Sequence, residues 1–188
     1  MGYFDDEKNM LEYIEMANGY DGAELIEALR RYLPAGSTVL ELGMGPGKDL
    51  DILSRTYQAT GSDLSRPFLD RYKKGHKNAD VMLLDAITID TDRTFDGVYS
   101  NKVLHHLIRD GLRRSLARQR SVLNKGGLFL HSFWYGDKEE EMHGLRFVYY
   151  LEEQLRDAVE GDFEILALER YKEMEVGDSI YVVAKKSE

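Results

Sequence analysis

The segment that most constrains the fold of this chain is a short apolar strand that runs directly into three closely spaced glycines. Residues 39–47 read Val-Leu-Glu-Leu-Gly-Met-Gly-Pro-Gly. Glycines after a buried strand let the backbone turn sharply and approach a ligand closely. The helix predicted next, over residues 49–55, offers unpaired N–H groups that favour a carboxylate or a phosphate. The segment therefore predicts a strand–loop–helix unit that binds a ligand.

Strand and helix patterns alternate along the first two thirds of the chain. The predicted strands cover residues 38–42, 58–62, 81–84, 95–100 and 128–133, and the predicted helices cover residues 21–33, 49–55, 66–74 and 110–123. Such alternation is typical of a parallel sheet with right-handed crossovers. After a helix over 150–159, strand patterns over 163–173 and 179–186 flank a glycine-containing turn, as in an antiparallel hairpin. We therefore predict that the sheet ends in an antiparallel strand.

An acidic residue closes the second predicted strand. Asp63 follows Gly43 by 20 residues, the spacing at which an acidic side chain meets the ribose hydroxyls in a nucleoside-binding βαβ unit. The alternative role for Asp63 is to cap the next helix, although Ser65 suits that position better. The loop also departs from the dinucleotide-binding pattern, because Lys48 stands where the third glycine of that pattern would lie. Asp63 is thus predicted to bind a ribose.

The run from Glu41 to Gly47 resembles the first motif of the Rossmann-like, class I S-adenosylmethionine-dependent methyltransferases. Four further segments resemble motifs of that family in the same order, namely Asp63, the pair Asp85-Ala86, the strand over 95–101 and the turn over 123–128. The closing hairpin is similar to that of the family. The resemblance implies a three-layer α/β fold with a mostly parallel seven-stranded sheet and one antiparallel strand near the C-terminus. It also implies a single methyltransferase domain over residues 1–188.

The resemblance implies methyl transfer as the activity and S-adenosylmethionine as the cofactor. In this family the acid after the second strand binds the ribose, the pair after the third strand contacts adenine, and Asn101 matches a position near the methionine end. The cofactor-binding residues implied in this way are Glu41, Gly43, Gly45, Gly47, Asp63, Leu64, Asp85, Ala86 and Asn101. Alignment of the acceptor alone can supply about 7 to 11 kcal/mol of catalysis. A conspicuous catalytic motif is therefore not required.

Two histidines are the candidates for catalysis. His105 and His106 follow the fourth predicted strand at its carboxyl end, the edge where open α/β sheets bind ligands. An imidazole with a pKa of about 6.5 could remove a proton from an acceptor oxygen or nitrogen. The alternative is that one histidine packs under the loop while the other is solvated.

Aromatic residues are the candidates for the acceptor pocket, and they are Tyr20, Trp134 and Tyr135. Residues 134–149 form a candidate lid over that pocket, and residues 1–20 a candidate flap or helix over the cofactor. The alternative for each aromatic residue is ordinary packing.

Charge and composition give expectations about partners. The net charge of -9 repels a phosphate backbone, so we expect a small-molecule acceptor and no bulk nucleic-acid binding, although a local basic patch could override this. The absence of cysteine removes thiol nucleophiles and zinc–thiolate sites, and no ligand spacing supports a metal site. An acidic N-terminal segment and the lack of a long apolar run lead us to expect a cytoplasmic protein without membrane contact.

Two alternatives to a methyltransferase are left open at this point. A nicotinamide-dependent, NAD(P)-binding oxidoreductase would share the βαβ unit and the acidic ribose ligand, but the missing third glycine and the closing hairpin argue against it. A domain that binds S-adenosylmethionine without catalysis would share every motif. Formation of S-adenosylhomocysteine distinguishes the second alternative from an enzyme.

Overall fold

A seven-stranded sheet covered by helices on both faces forms the fold, described here by a computed structural model for residues 3–187. Met1 and Gly2, which open the predicted flap, and Glu188 lie outside the described residues. The strands are β1 Thr38–Leu42, β2 Gln58–Asp63, β3 Val81–Leu83, β4 Phe95–Asn101, β5 Leu123–Trp134, β6 Glu139–Met142, β7 Leu145–Val148, β8 Phe163–Tyr171 and β9 Ser179–Lys186. The helices are α1 Glu7–Met16, α2 Ala23–Arg30, α3 Lys48–Leu53, α4 Arg66–Gly75, α5 Arg109–Val122 and α6 Glu152–Val159.

The strand order of the large sheet is β3-β2-β1-β4-β5-β9-β8. Strands β1 to β5 pair in parallel, whereas β9 runs antiparallel to both of its neighbours, β5 and β8. The predicted fold is therefore confirmed, including the single antiparallel strand. The order reverses between β1 and β4, and open α/β sheets bind ligands in the crevice at the carboxyl ends of such strands.

The core lies in two layers, because successive side chains of a strand point to opposite faces of the sheet. From β1, Leu40 and Leu42 join the cluster that contains the buried residues of α5 and α6. Val39 joins the cluster on the other face with the apolar side of α2. A smaller cluster joins α3 and α4 through Leu50, Leu69 and Tyr72. Helices on both faces hold the carboxyl ends of the strands in fixed positions.

The predicted helix starts differ from the observed ones in how they are capped. Helix α2 begins at Ala23 rather than Asp21, and the Asp21 carboxylate accepts a hydrogen bond from the Ala23 N–H at 3.0 Å. The Ser65 hydroxyl does not cap α4, because it donates to the carbonyl of Phe4 at 2.8 Å. Asp63 instead accepts a hydrogen bond from the Ser65 N–H at 2.8 Å. Ser65 therefore stands at the predicted N-cap position of α4, but its side chain does not make the capping hydrogen bond.

The segment 134–149, predicted as a loop that could cover the acceptor, contains a two-stranded hairpin of β6 and β7. Its sequence lacks the apolar–polar alternation that predicts strands, because β6 consists of three glutamates and a methionine. The hairpin gains a side-chain contact where the Tyr149 hydroxyl donates to Glu140 at 2.6 Å. It packs against the short 3-10 turn Leu104–His106, which contains both candidate catalytic histidines. Within residues 3–187 we find no helix of the length and apolarity needed to cross a membrane.

Candidate active site

The glycine loop between β1 and α3 has left-handed backbone at all three glycines. The φ angles are 67° at Gly43, 48° at Gly45 and 86° at Gly47. A Cβ atom at Gly43 would lie 2.6 Å from the methyl carbons of Val103, and one at Gly47 would lie 2.4 Å from the ring of Tyr72. At Gly45 the nearest atom would be 3.8 Å away. Packing therefore leaves no room for a side chain at Gly43 and Gly47, whereas Gly45, the central glycine, presents an open face.

That open face borders a cavity of about 130 Å³ at the carboxyl ends of β1 and β4. Side chains of α1 and of the segment before α2 form one wall, and the residues that follow β4 form another. The lining residues are Tyr13, Ala17, Tyr20, Asp21, Glu41, Gly43, Met44, Gly45, Pro46, Lys48, Asp49, Asn101, Lys102 and Glu173. Five residues predicted from the sequence thus meet here, namely Tyr20, Glu41, Gly43, Gly45 and Asn101.

Carboxyl groups outnumber ammonium groups in the lining of this cavity, which has four acidic residues and the two lysines Lys48 and Lys102. Glu41 is only 3% exposed, and its Oε2 atom has no hydrogen-bond partner among the described residues. Burial raises the pKa of the Glu41 carboxyl well above its usual value, and the nearby Asp49 raises it further. Asp21 and Glu173 add two more acidic side chains to the lining. A lining of this kind favours a ligand that carries positive charge.

Asp49 connects three elements around the cavity, and the sequence analysis did not identify it as a site residue. Its carboxylate accepts hydrogen bonds from the Gly22 N–H at 2.7 Å, the Tyr99 hydroxyl at 2.7 Å and the Asn101 side-chain amide at 3.1 Å. Asn101 in turn accepts a hydrogen bond from the Ser132 hydroxyl at 2.7 Å. Both ends of the Asn101 amide are therefore held in place. The sequence feature that could have identified Asp49 is its position two residues after Gly47, the last glycine of the loop.

Asp63 lies against the glycine loop from the end of β2. Its Oδ2 atom accepts a hydrogen bond from the Gly45 N–H at 2.9 Å. Burial raises the pKa of the cavity residue Tyr13, and the charge of Asp63 raises it further. The neighbouring Leu64 is 62% exposed. The acid predicted to bind the ribose therefore stands beside the central glycine of the loop.

Five of the nine predicted cofactor residues are not in the lining of this cavity in the described structure, namely Gly47, Asp63, Leu64, Asp85 and Ala86. Asp85 shapes the turn after β3, because its carboxylate accepts a hydrogen bond from the Ile87 N–H at 2.6 Å. The carbonyl of Ala86 accepts a hydrogen bond from the Ser115 hydroxyl at 2.6 Å. Gly47 packs against Tyr72 at the start of α3. Contact of Asp85 and Ala86 with an adenine ring stays a prediction.

The residue after Asn101 was also missed by the sequence analysis. Lys102 has a φ of 54°, and its ammonium donates to the Ser179 hydroxyl at 2.6 Å and to the Phe133 carbonyl at 3.1 Å. The same ammonium lies 3.8 Å from the centre of the Trp134 ring. Burial lowers the pKa of Lys102 to about 8. Trp134 thus contacts a residue of the cavity wall.

The other aromatic candidate of this segment lies elsewhere. The ring of Tyr135 stacks under the guanidinium of Arg170, whose central carbon lies 3.8 Å from the ring centre. Tyr135 is not among the residues that line the cavity in the described structure.

The two candidate catalytic histidines have different environments. His105 is 2% exposed, stacks on Phe147 with ring centres 5.3 Å apart, and has no hydrogen-bond partner for either ring nitrogen among residues 3–187. The Nδ1 atom of His106 lies 2.6 Å from the carbonyl oxygen of Arg146. Because a carbonyl only accepts, this contact places the proton on Nδ1 and leaves Nε2 as the basic nitrogen. Burial lowers the pKa of both histidines, so both are neutral near pH 7.

The sheet order and the single antiparallel strand are those of the class I S-adenosylmethionine-dependent methyltransferase fold, and the glycine loop lies beside an acid, as the sequence resemblance implies. A family model described as "Methyltransferase domain" matches residues 39–127, from β1 to the start of β5. This match covers the segment on which the sequence resemblance depends, and it agrees with that resemblance.

Solved structures with this fold cover nearly the whole chain. The glycopeptide N-methyltransferase MtfA, complexed with S-adenosylhomocysteine, aligns with a TM-score of 0.74 at 20% identity over 90% of this chain and 91% of that chain. An S-adenosylmethionine-dependent methyltransferase from Clostridium acetobutylicum aligns with a TM-score of 0.77 at 15% identity over 97% of this chain and 100% of that chain. The 1,6-didemethyltoxoflavin-N1-methyltransferase of Burkholderia thailandensis aligns with a TM-score of 0.71 at 20% identity over 100% of this chain and 92% of that chain. At these identities the likeness establishes the fold.

A relative by sequence corrects the expectation about partners. A tRNA (carboxymethyluridine(34)-5-O)-methyltransferase of Arabidopsis thaliana is 29% identical over 117 residues, which are 61% of this chain and 28% of that protein. The chain therefore spans much less than half of this relative. Because a relative acts on tRNA, the exclusion of nucleic acid in favour of a small-molecule acceptor was wrong. Net charge averages over the whole surface, whereas phosphate binding depends on where the cations lie.

Proposed function

We propose that this chain transfers the methyl group of S-adenosylmethionine to an oxygen, nitrogen or carbon nucleophile, in a site at the carboxyl ends of β1, β2 and β4. The observation that carries this proposal is the open face of Gly45 in a cavity walled by carboxylates. A sulfonium and an ammonium, the two cationic groups of the cofactor, suit such a wall. The proposal treats residues 1–188 as one methyltransferase domain.

The residues at the cavity fit the chemical groups of the cofactor. Bound S-adenosylmethionine supplies a methyl group that is already activated for attack. The buried Oε2 of Glu41 offers an acceptor to the ammonium, and Asp63 offers a carboxylate to the ribose diol. Asn101, held at both ends of its amide, orients the methionine half. Leu64, Asp85 and Ala86 are proposed for the adenine side, and Gly43 and Gly47 for the shape of the loop.

A tRNA is the acceptor that we propose to test first. The name of the Arabidopsis relative specifies tRNA, and the relative matches 61% of this chain. Tyr20, which is 45% exposed at the cavity, and Trp134, which contacts Lys102, are proposed for the acceptor side. Tyr135 has weaker support, because it packs under Arg170.

Turnover tests the proposed function directly. We expect the purified chain, incubated with S-adenosylmethionine and unfractionated tRNA, to form S-adenosylhomocysteine and methylated RNA in equal amounts. Mass spectrometry of the nucleosides locates the methyl group, and reactions without tRNA give the background. Binding of S-adenosylhomocysteine without turnover on tRNA or on extracts of cell metabolites would favour a non-catalytic binding domain. Binding of NAD in its place would favour an oxidoreductase and overturn the proposal.

We propose His106 as the general base, with His105 packed behind it. The Arg146 carbonyl fixes the tautomer of His106, so that Nε2 can accept a proton from the acceptor. Since general base catalysis contributes about 100- to 10,000-fold, His106→Ala should lower kcat at least about 100-fold while the affinity for S-adenosylhomocysteine stays unchanged.

The pH profile and a matched variant test that assignment. The pKa of His106 is below its usual value, so wild-type kcat should be constant above about pH 6.5 and decline only in more acidic solution, where Nε2 is protonated. His106→Ala should abolish this acidic decline. His143→Ala, which removes an exposed histidine of the β6–β7 turn, should keep the wild-type rate and profile. Wild-type kcat in His106→Ala would exclude the base role.

A further inference from the structure

The outward side of α4 and of the turn that follows it carries positive charge that the methyl-transfer site does not use. Between residues 66 and 77 the acidic residue is Asp70, and the cations, which together we call the α4 basic surface, are Arg66, Arg71, Lys73, Lys74 and Lys77. All five cations are exposed. In the described part of the chain none of them forms an ion pair. A chain with a net charge of -9 therefore concentrates positive charge on one element.

Helical periodicity explains why these side chains share one side. Phe68, Leu69 and Tyr72 are the buried residues of α4, and they pack toward the sheet and α1. Arg66, Arg71 and Lys74 fall on the other side of the helix, as expected for a period of 3.6 residues, while Lys73 lies at the edge between the two sides and Lys77 follows the helix. With a rise of 1.5 Å per residue, the cations of α4 from Arg66 to Lys74 extend over about 12 Å. This length is enough to contact several phosphates of one nucleic-acid strand.

The arginines of α5 provide a contrast, because most of them have partners within the fold. Arg109 lies 3.6 Å from Glu139, and Arg120 lies 3.7 Å from Asp162. Arg118 donates to the carbonyls of Thr88 and Ile89. Much of the positive charge on α5 is thus used to hold neighbouring elements. The α4 basic surface has no such structural use among the described residues.

The α4 basic surface begins beside the cofactor cavity. Arg66 follows Asp63 by three residues, and Asp63 hydrogen-bonds the central glycine of the loop. The ring of Phe68, in the first turn of α4, lies 6.0 Å from the ring of the cavity residue Tyr13. A polymer bound along α4 would therefore reach the entrance of the methyl-transfer site.

At its other end the α4 basic surface borders a cleft of about 400 Å³ between α3, α4 and the start of β2. The half-exposed ring of His76 stacks on Tyr72 there, with ring centres 4.0 Å apart and planes 12° apart. The two carboxylates of the cleft already have partners, because Asp51 accepts from the Tyr72 hydroxyl and Asp80 pairs with Arg93. Aromatic rings beside cations are typical of surfaces that bind single-stranded nucleic acid.

We propose that the α4 basic surface binds the phosphate backbone of an RNA acceptor. This inference rests on the proposed function, since it supplies the surface that presents the acceptor to the methyl-transfer site. An RNA fits better than an acidic protein, because protein interfaces have an apolar centre and no large apolar side chain is exposed between residues 66 and 77. Separated cations on flexible side chains can each contact a phosphate of the backbone.

Charge reversal of the α4 basic surface tests this inference. We expect the triple variant Arg71→Glu, Lys73→Glu, Lys74→Glu to bind unfractionated tRNA at least about tenfold more weakly than the wild-type chain in fluorescence anisotropy. Loss of three phosphate contacts should also reduce the slope of log K against log salt by about 2. Calorimetric titration with S-adenosylhomocysteine should give wild-type affinity, because none of the three residues lines the cofactor cavity.

A second triple variant controls for net charge. Arg114→Glu, Lys125→Glu, Arg156→Glu changes the total charge equally, at exposed positions of α5, β5 and α6. This control should lose much less tRNA affinity than the α4 variant. The inference is overturned if the two variants lose equal tRNA affinity, or if the α4 variant binds tRNA as tightly as the wild-type chain. It is also overturned if poly-glutamate at equal charge displaces the tRNA. If the wild-type chain does not bind S-adenosylhomocysteine, the proposed function is contradicted instead. Failure of the inference and failure of the proposed function are therefore distinguishable.

Discussion

Gly47→Ala should destabilise this chain by about 3 kcal/mol, which combines the cost of a left-handed alanine with that of overpacking. The added Cβ atom would lie 2.4 Å from the ring of Tyr72. That ring cannot move aside freely, because its hydroxyl donates to Asp51 at 2.6 Å and its face stacks on His76. For a chain of this length the loss corresponds to about 6 to 12 °C in Tm. Urea and thermal unfolding measure it.

Gly45→Ala is the matched control in the same loop. Its φ of 48° also lies in the left-handed region, but the nearest atom to an added Cβ is 3.8 Å away. The stability loss should therefore be only about 1 to 2 kcal/mol. The added methyl group would occupy the cavity, so affinity for S-adenosylhomocysteine should fall at least about tenfold. Equal stability losses in the two variants would contradict this account of the loop.

The parts of the fold that the sequence predicts well are those in which local pattern and tertiary packing agree. β1 and β9 have their predicted bounds, because a buried apolar run and adjacent turn residues coincide in each. The β6–β7 hairpin was missed, since three consecutive glutamates carry no strand pattern and the hairpin depends on contacts such as Tyr149 with Glu140. Ser65 occupies its predicted N-cap position, but its hydroxyl donates to the distant carbonyl of Phe4 instead of capping the helix.

In the candidate site, as in the fold, features that depend on local sequence could be predicted and those that depend on distant contacts could not. The glycine loop and Asp63 could be proposed from the sequence, because a close approach of backbone to a ligand restricts which residues are allowed. The contacts of Asp49 and Lys102 could not be predicted, since their surroundings come from Tyr99, Ser179 and other residues far away in the sequence. Spacing along the chain contains little information on which distant side chains a carboxylate or an ammonium contacts.

Charge illustrates a third limit of sequence reasoning. The net charge of -9 led to the wrong exclusion of nucleic acid, because a sum over the chain does not describe how charge is distributed. The cations of α4 were visible in the sequence, but their freedom from ion pairs among the described residues, in contrast to Arg109 and Arg120 of α5, required the structure. The exposure and partners of each cation are therefore a better guide to polyanion binding.

Asp63→Ala should lower the affinity for S-adenosylhomocysteine about 10- to 100-fold. Hydrogen bonds to a charged group contribute about 1.5 to 3 kcal/mol, and each 1.4 kcal/mol is a factor of ten in the dissociation constant. The carboxylate also accepts a hydrogen bond from the Gly45 N–H, so part of the loss could come from the loop rather than from the ribose. Calorimetry with Asp70→Ala, which removes an exposed carboxylate of α4, provides the control.

A ligand that lacks one ribose hydroxyl separates the two contributions. The wild-type chain should bind S-adenosylhomocysteine about tenfold more tightly than its 2′-deoxy analogue, because Asp63 then loses one charge-assisted hydrogen bond. Asp63→Ala should bind the two ligands with nearly equal affinity, since the partner of that hydroxyl is absent. If the variant is weaker overall but still prefers the ribose form by the same factor, Asp63 supports the loop and does not bind the sugar. Asp70→Ala should keep both the affinity and the preference of the wild-type chain.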